Sequence, residues 1–461
     1  MDIPLETLKE RIRGQRVIKN LLGCHFKGNV YLVGGAIREL CLNNTPKDYD
    51  LALSDRKDLN KIEHLFGKGV FVLGKKPIQI YRLAKKDISI DITLLDDTIE
   101  KDLSRRDFTI NAIAFDIKNN VLVDPLNGLE DIKKGLIIYP SKISLIDDPL
   151  RMLKAIRHFS NLKDFKIHRK LIDSIKELKH LIIKTAPERI KYELDRIIVS
   201  PNPYDGIKMM EKTSLLFEIF PELACMKNLD IEKRFVLETF GHTIAGFMYL
   251  NKYNNIYQLD AKNLRDVGYA LLFHDLGKPH TFSYDENKNV VHFFYHERYS
   301  QKIASNIMER LRFSSIEIKN IIKLIQNHMR IFLISNNEST EKAIRRIVYK
   351  MEGLTPSLIL LSLCDMYGSS GGQENPSTRL VHEKCDELLI TYAEWKKEPL
   401  PRLVNGYELI EIGFKEGPQI GKVMNEIRER QIAGDINEKE EALAYAKQML
   451  RQNLNNTQSH L

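Results

Sequence analysis

Two aspartates spaced by two, Asp48 and Asp50, lie in the run Lys47-Asp48-Tyr49-Asp50-Leu51-Ala52-Leu53, which reads as a strand. Residues i and i+2 of a strand share a face, so both carboxylates emerge together and can hold hard divalent cations. Upstream, Leu32-Val33-Gly34-Gly35-Ala36-Ile37-Arg38 reads as strand, tight glycine turn and helix start, where backbone amides can come close to a triphosphate. Asp91, in Ile90-Asp91-Ile92, is the natural third carboxylate. Two cations held roughly 4 Å apart in this way would activate an attacking hydroxyl and stabilise a leaving pyrophosphate in an in-line displacement. An Asp-x-Asp pair alone is common on solvated strand edges. The glycine turn before it, and the motifs after it, give this one its weight.

These residues need a small sheet to carry them, and the first third of the chain predicts one. Short β-branched runs (Val30–Val33, Phe71–Leu73, Ile88–Ile92, Ala112–Asp116) alternate with helical stretches. After about residue 140 the strand signal fades. Apolar residues at three- and four-residue spacing then predict helices over 147–162, 168–182, 187–199 and 300–331. Breaks are expected at Ser200–Pro203, Gly368–Pro376 and Lys397–Pro401. At 461 residues the chain exceeds one compact core, and 43% hydrophobic with 29% charged residues is ordinary globular composition, so several folded domains are expected rather than disorder. The start Met1-Asp2-Ile3-Pro4 has no basic region followed by an apolar block, and no run of about 18 apolar residues occurs, so a cytoplasmic protein without a membrane partner is expected. Five scattered cysteines form no C-x-x-C pair and point to reduced thiols. A net charge of +8 suits a surface that meets phosphates, though many basic proteins bind no nucleic acid.

Three further segments follow in order: Arg105-Arg106-Asp107-Phe108-Thr109-Ile110-Asn111, then Asp147-Asp148-Pro149-Leu150-Arg151 continuing through Lys154 and Arg157, then Pro187-Glu188-Arg189. With the glycine turn and the aspartate pair, they resemble the motifs of bacterial-type tRNA CCA-adding enzymes and poly(A) polymerases, the second class of polymerase-β-like nucleotidyltransferases. The resemblance spans almost the whole chain and implies an α+β fold, with a nucleotidyltransferase head (small mixed sheet with helices) followed by an all-α neck, HD domain and tail. The expected divisions are 1–140, 141–225, 226–375 and 376–461. It also implies that Mg²⁺ serves the head carboxylates and that Gly34, Gly35, Arg38, Arg106, Asp107 and Asn111 hold ribose and triphosphate. Asp148 and Arg151 would read the base. A carboxylate accepts from the exocyclic amine shared by cytosine and adenine and a guanidinium donates to neighbouring ring atoms, so CTP and ATP can be chosen without a template. Spaced by three, the two are expected on one helix face, where the bland alternative is a surface ion pair. Lys154 and Arg157 continue that face toward the triphosphate. Two positions depart from the family, Asp147 where Glu is usual and Glu39 where Asp is usual, and both keep the charge.

A second set of residues comprises His242, the run His274-Asp275-Leu276-Gly277-Lys278, His296, His328 and Asp365. One histidine on a helix is more often a packing residue, but adjacent His274-Asp275 followed by Leu-Gly-Lys is much more specific. The order resembles the HD phosphohydrolase superfamily. In that pattern His242, His274, Asp275 and Asp365 bind one divalent metal while His296 and His328 help hold a second, and a mixed imidazole and carboxylate set suits manganese, nickel, iron or zinc better than calcium. A phosphoester at an RNA end is the expected substrate, and a metal that merely braces helices is the alternative. Residues 404–409 and 413–422 resemble the tail that grips the tRNA elbow.

Relatives that build the whole CCA end carry a flexible loop of about a dozen residues between the third carboxylate strand and the Arg-Arg-Asp motif. Here Asp91 runs almost directly to Arg105-Arg106, so the loop is missing, and addition of two cytidines without the terminal A is expected. The competing readings are a poly(A) polymerase, an HD phosphohydrolase with a decayed head, and a noncatalytic RNA-binding module. The intact carboxylates and arginines speak against the last two.

Overall fold

The computed structural model describes residues 3–67, 70–73, 79–85, 88–232, 239–336 and 338–458. The chain forms two compact units, Met1–Pro221 and Glu222–Leu461.

The first unit is built on a seven-stranded mixed sheet: β1 (Val30–Val33), β2 (Asp48–Leu53), β3 (Val70–Leu73), β4 (Ile80–Lys85), β5 (Ile88–Leu94), β6 (Ala114–Asp116) and β7 (Val121–Val123), in the order β3-β4-β5-β2-β1-β6-β7. β2 and β5 pair in parallel and the other pairs are antiparallel. Val30–Val33 is buried throughout, as expected of a central strand covered on both faces. Along β2 the period of two buries Tyr49 and Leu51 and leaves Asp48 and Asp50 on the opposite, more open face. The run expected over 112–116 becomes a strand only from Ala114, because Thr109–Asn111 winds into a 3₁₀ turn. Helices Arg151–Asn161, Arg169–Leu178, Pro187–Ile198 and Pro203–Lys212 complete the unit, and their buried stripes include Met152, Leu153, Ile156, Ile190, Leu194 and Ile197.

One expectation fails here. Asp148 does not share a helix with Arg151: it has extended backbone (φ −136°, ψ 90°), and the helix starts at Arg151. The residue before a proline is driven out of helical conformation by the ring's Cδ, and Pro149 follows it.

Among the described residues of the second unit, the regular elements are helical apart from the hairpin Ser283–Asp285 and Val290–His292. Its long core helices are Thr239–Tyr257, Ala261–Phe273, His296–Arg310, Ser315–Asn327, Thr355–Ser370 and Pro376–Lys397. The segment expected as one helix over 300–331 is divided, because Arg312 takes φ +60° and Ser314 opens a new helix through a capping box with Glu317. The break expected from Gly368 starts later, at Gly371 and Gly372, both with positive φ. Gly368 is still within the helix, and a side chain there would strike the facing helix: an added Cβ would lie 2.4 Å from the His242 carbonyl oxygen and 3.1 Å from the Gly246 Cα. Helices Gly406–Ile412, Pro418–Ile432 and Lys439–Gln458 close around their own small core of Leu409, Phe414, Val423, Ile427 and Ala442.

Candidate functional sites

In the first unit, strand register assembles the carboxylates. Asp50 on β2 is directly opposite Asp91 on β5, and Val33, the last residue of β1, is opposite Asp50. Asp48, Asp50 and Asp91 therefore converge at one end of the sheet, beside the Gly34 turn. Gly34 has φ +77°, and a Cβ there would lie 2.8 Å from an Arg106 guanidinium nitrogen and 3.1 Å from Asp50 Oδ2, so only glycine leaves this corner open. Burial pushes the Asp50 carboxyl up to about 6; Arg106 opposes the shift, and Asp91, Asp48 and Asp107 add to it. A carboxylate crowded by others in this way is relieved by a divalent cation, so the donor set fits hard metal ions. Asp91 is held by Arg82 of β4 through two hydrogen bonds of 2.7 and 2.6 Å, a partner that strand pairing across the sheet supplies and local sequence did not indicate.

Behind the turn, Glu39 accepts from Arg38 at 2.7 Å, the buried Arg38 guanidinium donates to the Asn111 side-chain oxygen, and the Asn111 amide donates to Asp107 at 2.9 Å. Arg106 pairs with Asp102 one helical turn earlier. The structure thus brings Gly34, Gly35, Arg38, Arg106, Asp107 and Asn111 together around the aspartates.

The other expected nucleotide contacts have separate partners. Asp148 accepts from Arg189 at 3.1 and 3.3 Å, whereas Arg151 donates to the backbone carbonyls of Arg105 and Arg106 at 2.8 and 3.1 Å. Arg151 thereby ties the start of its helix to the Arg-Arg-Asp turn. Arg157 is in an ion pair with the buried Glu193 at 2.6 Å, while Lys154 is only partly buried. Arg189 and Glu193 belong to the motif that begins at Pro187, which carried no role for either; the structure gives them these partners, and Glu193 lies on the buried face of Pro187–Ile198. A cavity of about 850 Å³ is lined by Thr93, Asp96, Asp102, Arg105, Arg106 and Arg151 among others. Only residues 95–98 connect β5 to the helix Ile99–Ser104, beside this cavity.

In the second unit, six donors meet in the core, His242, His296 and Asp365 on helices and His274, Asp275 and His328 just past the ends of two others. His242, His274, Asp275, His296, His328 and Asp365 are all buried. Asp275 occupies the centre. Its Oδ2 is 2.9 Å from His242 Nε2 and 3.2 Å from His274 Nε2, and its Oδ1 is 3.2 Å from His296 Nε2 and 4.0 Å from His328 Nε2. Asp365 Oδ1 lies 3.5 and 3.4 Å from His242 and His274. The expected ligands therefore divide into His242, His274 and Asp365 on one side and Asp275, His296 and His328 on the other, with Asp275 facing both.

Local structure sets the imidazole tautomers. His274, His296 and His328 each place Nδ1 within 2.7–2.9 Å of the carbonyl three residues earlier, so Nδ1–H donates there and Nε2 turns a lone pair inward. Nε2 atoms then face each other at 3.4 Å (His242 and His274) and 3.1 Å (His296 and His328). Acceptors converging on acceptors and carboxylates fit divalent cations. Burial would lower the His274 pKa, but Asp275 and Asp365 outweigh it and push it up to about 10, so without a cation its Nε2 keeps a proton that a bound metal would displace; burial and the neighbouring His274 bring His328 down to about 4. Burial alone would raise Asp275, and His274 and Lys278 hold it well below the usual carboxylate range. Lys278, one turn after Asp275, is a direct partner that the motif contained without a role assigned to it.

Three family descriptions match the sequence: the poly A polymerase head domain over residues 78–138, the probable RNA and SrmB-binding site of polymerase A over 164–226, and the HD domain over 239–368. The chain is 30% identical to a CC-adding tRNA nucleotidyltransferase of Thermus thermophilus, over 90% of this chain and 93% of that protein. It is 28% identical to an A-adding tRNA nucleotidyltransferase of Deinococcus radiodurans, over 91% and 95% respectively. Among solved structures, a CCA-adding enzyme with CTP superposes with a TM-score of 0.66 at 21% identity, covering 98% of this chain and all of that one. The Thermotoga maritima CCA-adding enzyme complexed with tRNA superposes with a TM-score of 0.62 at 22% identity, covering 98% of this chain and all of that one.

Proposed function

The chain belongs to the tRNA nucleotidyltransferase family, and from that membership we propose that it extends the 3′ end of tRNA with cytidine from CTP, without a nucleic-acid template. The observation that carries this reading is the register that sets Asp50 beside Asp91 and next to the open Gly34 corner. Asp48, Asp50 and Asp91 would hold Mg²⁺, and the chemistry it would supply there is activation of the tRNA 3′-hydroxyl and neutralisation of the leaving pyrophosphate. Gly34 and Gly35 leave room for the triphosphate. Arg106 and the Arg38–Asn111–Asp107 chain place it and the ribose, and Asp148 and Arg151 reach the base once their present partners are exchanged. Lys154 is the further cation on that helix available to phosphate. Residues 1–140, 141–225, 226–375 and 376–461 serve as head, neck, hydrolase domain and tRNA-binding tail. Cytoplasmic tRNA is the substrate pool.

The link of residues 95–98 favours addition of CC alone. Conversion of the pocket from C to A needs contacts that differ between its two states, and this link leaves no long loop to make them. The experiment is incubation of purified protein and Mg²⁺ with tRNA lacking its CCA end and each nucleotide separately, read at single-nucleotide resolution. Two added cytidines and poor ATP addition to tRNA ending in CC are expected; efficient ATP addition shows that another segment supplies the lever and that the enzyme completes CCA itself. AMP tracts would favour the poly(A) polymerase alternative.

The buried cluster around Asp275 supports a second activity, metal-dependent hydrolysis of a phosphoester, with Mn²⁺ or Ni²⁺ held by His242, His274, Asp365, Asp275, His296 and His328. The chemistry a transition metal would supply at these residues is activation of a water for attack on the phosphorus. Lys278 balances the charge of Asp275, and the Nδ1 hydrogen bonds keep each imidazole in its ligating tautomer.

A further inference from the structure

A second cavity, of about 640 Å³, lies within Glu222–Leu461, and none of the six metal-cluster residues lines it. Four helices contribute to it. Arg330 opens the helix Arg330–Ile334, Arg346, Tyr349 and Lys350 belong to Glu341–Met351, Trp395 is in the last turn of Pro376–Lys397, and Arg428 comes from Pro418–Ile432. Four cations and two aromatic rings therefore line one space.

The protein does not neutralise this charge. Among the described residues, the side chains of Arg330, Arg346 and Lys350 form no ion pair or hydrogen bond. Two carboxylates share the lining, but Glu352 lies 3.8 Å from Lys323, which leaves Glu429 against four cations. Desolvation and then the Arg330 charge lower the pKa of Lys350, with Glu429 opposing them. Like charges gathered in this way are relieved by a multivalent anion. Arg428 is already set in place: Nη1 donates to the carbonyls of Leu400 and Pro401 and to the Gln431 side-chain oxygen at 3.1, 3.0 and 2.8 Å, and among the described residues its Nε and Nη2 have no acceptor. Trp395, the only tryptophan of the chain, stacks on Tyr392 at 5.7 Å and 22°, and the Arg428 guanidinium lies 5.9 Å from the Tyr349 ring centre.

Guanidinium groups match phosphate oxygens in pairs, and aromatic rings accept a base of any identity. The volume falls within the roughly 300–1,000 Å³ of small-molecule pockets. A polynucleotide backbone is tracked by cations spread along a groove, whereas these converge on one cavity. We propose that the cavity binds a free nucleoside polyphosphate, with its phosphates among Arg330, Arg346, Lys350 and Arg428 and its base against Trp395 or Tyr349, as a ligand separate from the nucleotide that the head incorporates. The inference needs neither the transferase nor the hydrolase reading.

A single tryptophan makes fluorescence specific to this cavity. The full-length protein, without tRNA, is titrated with ATP, GTP, pyrophosphate and adenosine. Saturable quenching by a triphosphate is expected, with pyrophosphate weaker by roughly tenfold or more because stacking is lost, and no response to adenosine. Arg346→Gln with Lys350→Gln should weaken triphosphate binding by about tenfold or more, and Arg346→Lys with Lys350→Arg should restore it. Pyrophosphate that binds as tightly as the triphosphates overturns the nucleoside assignment. Photolabelling with 8-azido-ATP and 8-azido-GTP gives a second readout: label within residues 346–350 or 392–399 is expected, and label confined to Met1–Pro221 refutes the site whatever the fluorescence does. The glutamine variant should keep the parent KM for tRNA in CTP addition. A raised KM for tRNA, with tRNA displacing the triphosphate from the parent protein, gives the cavity to the RNA backbone and overturns the proposal.

Discussion

Asp50 sits under electrostatic stress that a cation relieves. Burial and three neighbouring carboxyl groups favour its protonated form. A carboxyl with a folded pKa near 6 against an unfolded value of 3.8 contributes stability that is present below about pH 4 and lost as pH rises through 6. Asp50→Asn should therefore stabilise the metal-free protein at pH 7.5 by up to about 2 kcal/mol, with no gain at pH 4, while CTP addition disappears. Urea unfolding with EDTA at the two pH values reads the first effect, and retained addition would refute the role of Asp50 as metal ligand. Arg157 is a different case. Its ion pair with Glu193 is buried, and removing one partner leaves a charge uncompensated. Arg157→Ala should lower unfolding stability by roughly 3 kcal/mol. Lys154→Ala should instead raise the KM for CTP with little change in unfolding; the reverse pattern would place Arg157, not Lys154, at the triphosphate.

At the scale of elements, each site depends on two segments passing close enough to share their donors. Helices Thr239–Tyr257 and Thr355–Ser370 deliver His242 and Asp365, and they meet through Gly246 and Gly368. A methyl group at Gly368 would strike the carbonyl of His242 itself. Gly368→Ala should cost about 1–3 kcal/mol by overpacking and also weaken Mn²⁺ binding, because it separates two ligands of one cluster. Calorimetric titration of the variant with Mn²⁺ checks this, and wild-type affinity in a destabilised variant would mean that the crossing braces the fold without positioning the ligands. In the head the corresponding close approach is Gly34 against Asp50 and Arg106, where strand pairing rather than helix packing sets the distance.

For the whole molecule, the two constellations lie in separate compact units, the carboxylate triad within Met1–Pro221 and the histidine cluster within Glu222–Leu461. Loss of one site is then expected to spare the other. His274→Ala with Asp275→Ala should abolish phosphoester hydrolysis and preserve CTP addition to tRNA. Mn²⁺ at a hundredfold excess over its Kd should stabilise the parent second unit by about 3 kcal/mol and leave the double variant unmoved. Differential scanning calorimetry with and without Mn²⁺ measures this. Loss of CTP addition from a folded double variant would show that the units are functionally coupled.

What could be read along the chain was whatever one or two turns of backbone decide. The two-residue period of a strand places Asp48 and Asp50 on one face, a glycine pair marks a left-handed turn, and His274-Asp275 ends a helix as one unit. The short path from Asp91 to Arg106 was likewise visible by counting. Other features depended on distant segments. Asp91 meets Asp50 only because β5 joins β2 in parallel, and Arg82 clamps Asp91 only because β4 pairs on its other side. Asp148 left the helix expected for it through Pro149, a local signal that was overlooked, but its pairing with Arg189, 41 positions later, is tertiary. The central place of Asp275 between two groups of ligands required five helices to pack around it. Backbone sterics are local and legible in short runs of residues. Strand register and helix crossing are instead selected by the apolar surface they jointly bury, and no single segment contains that information.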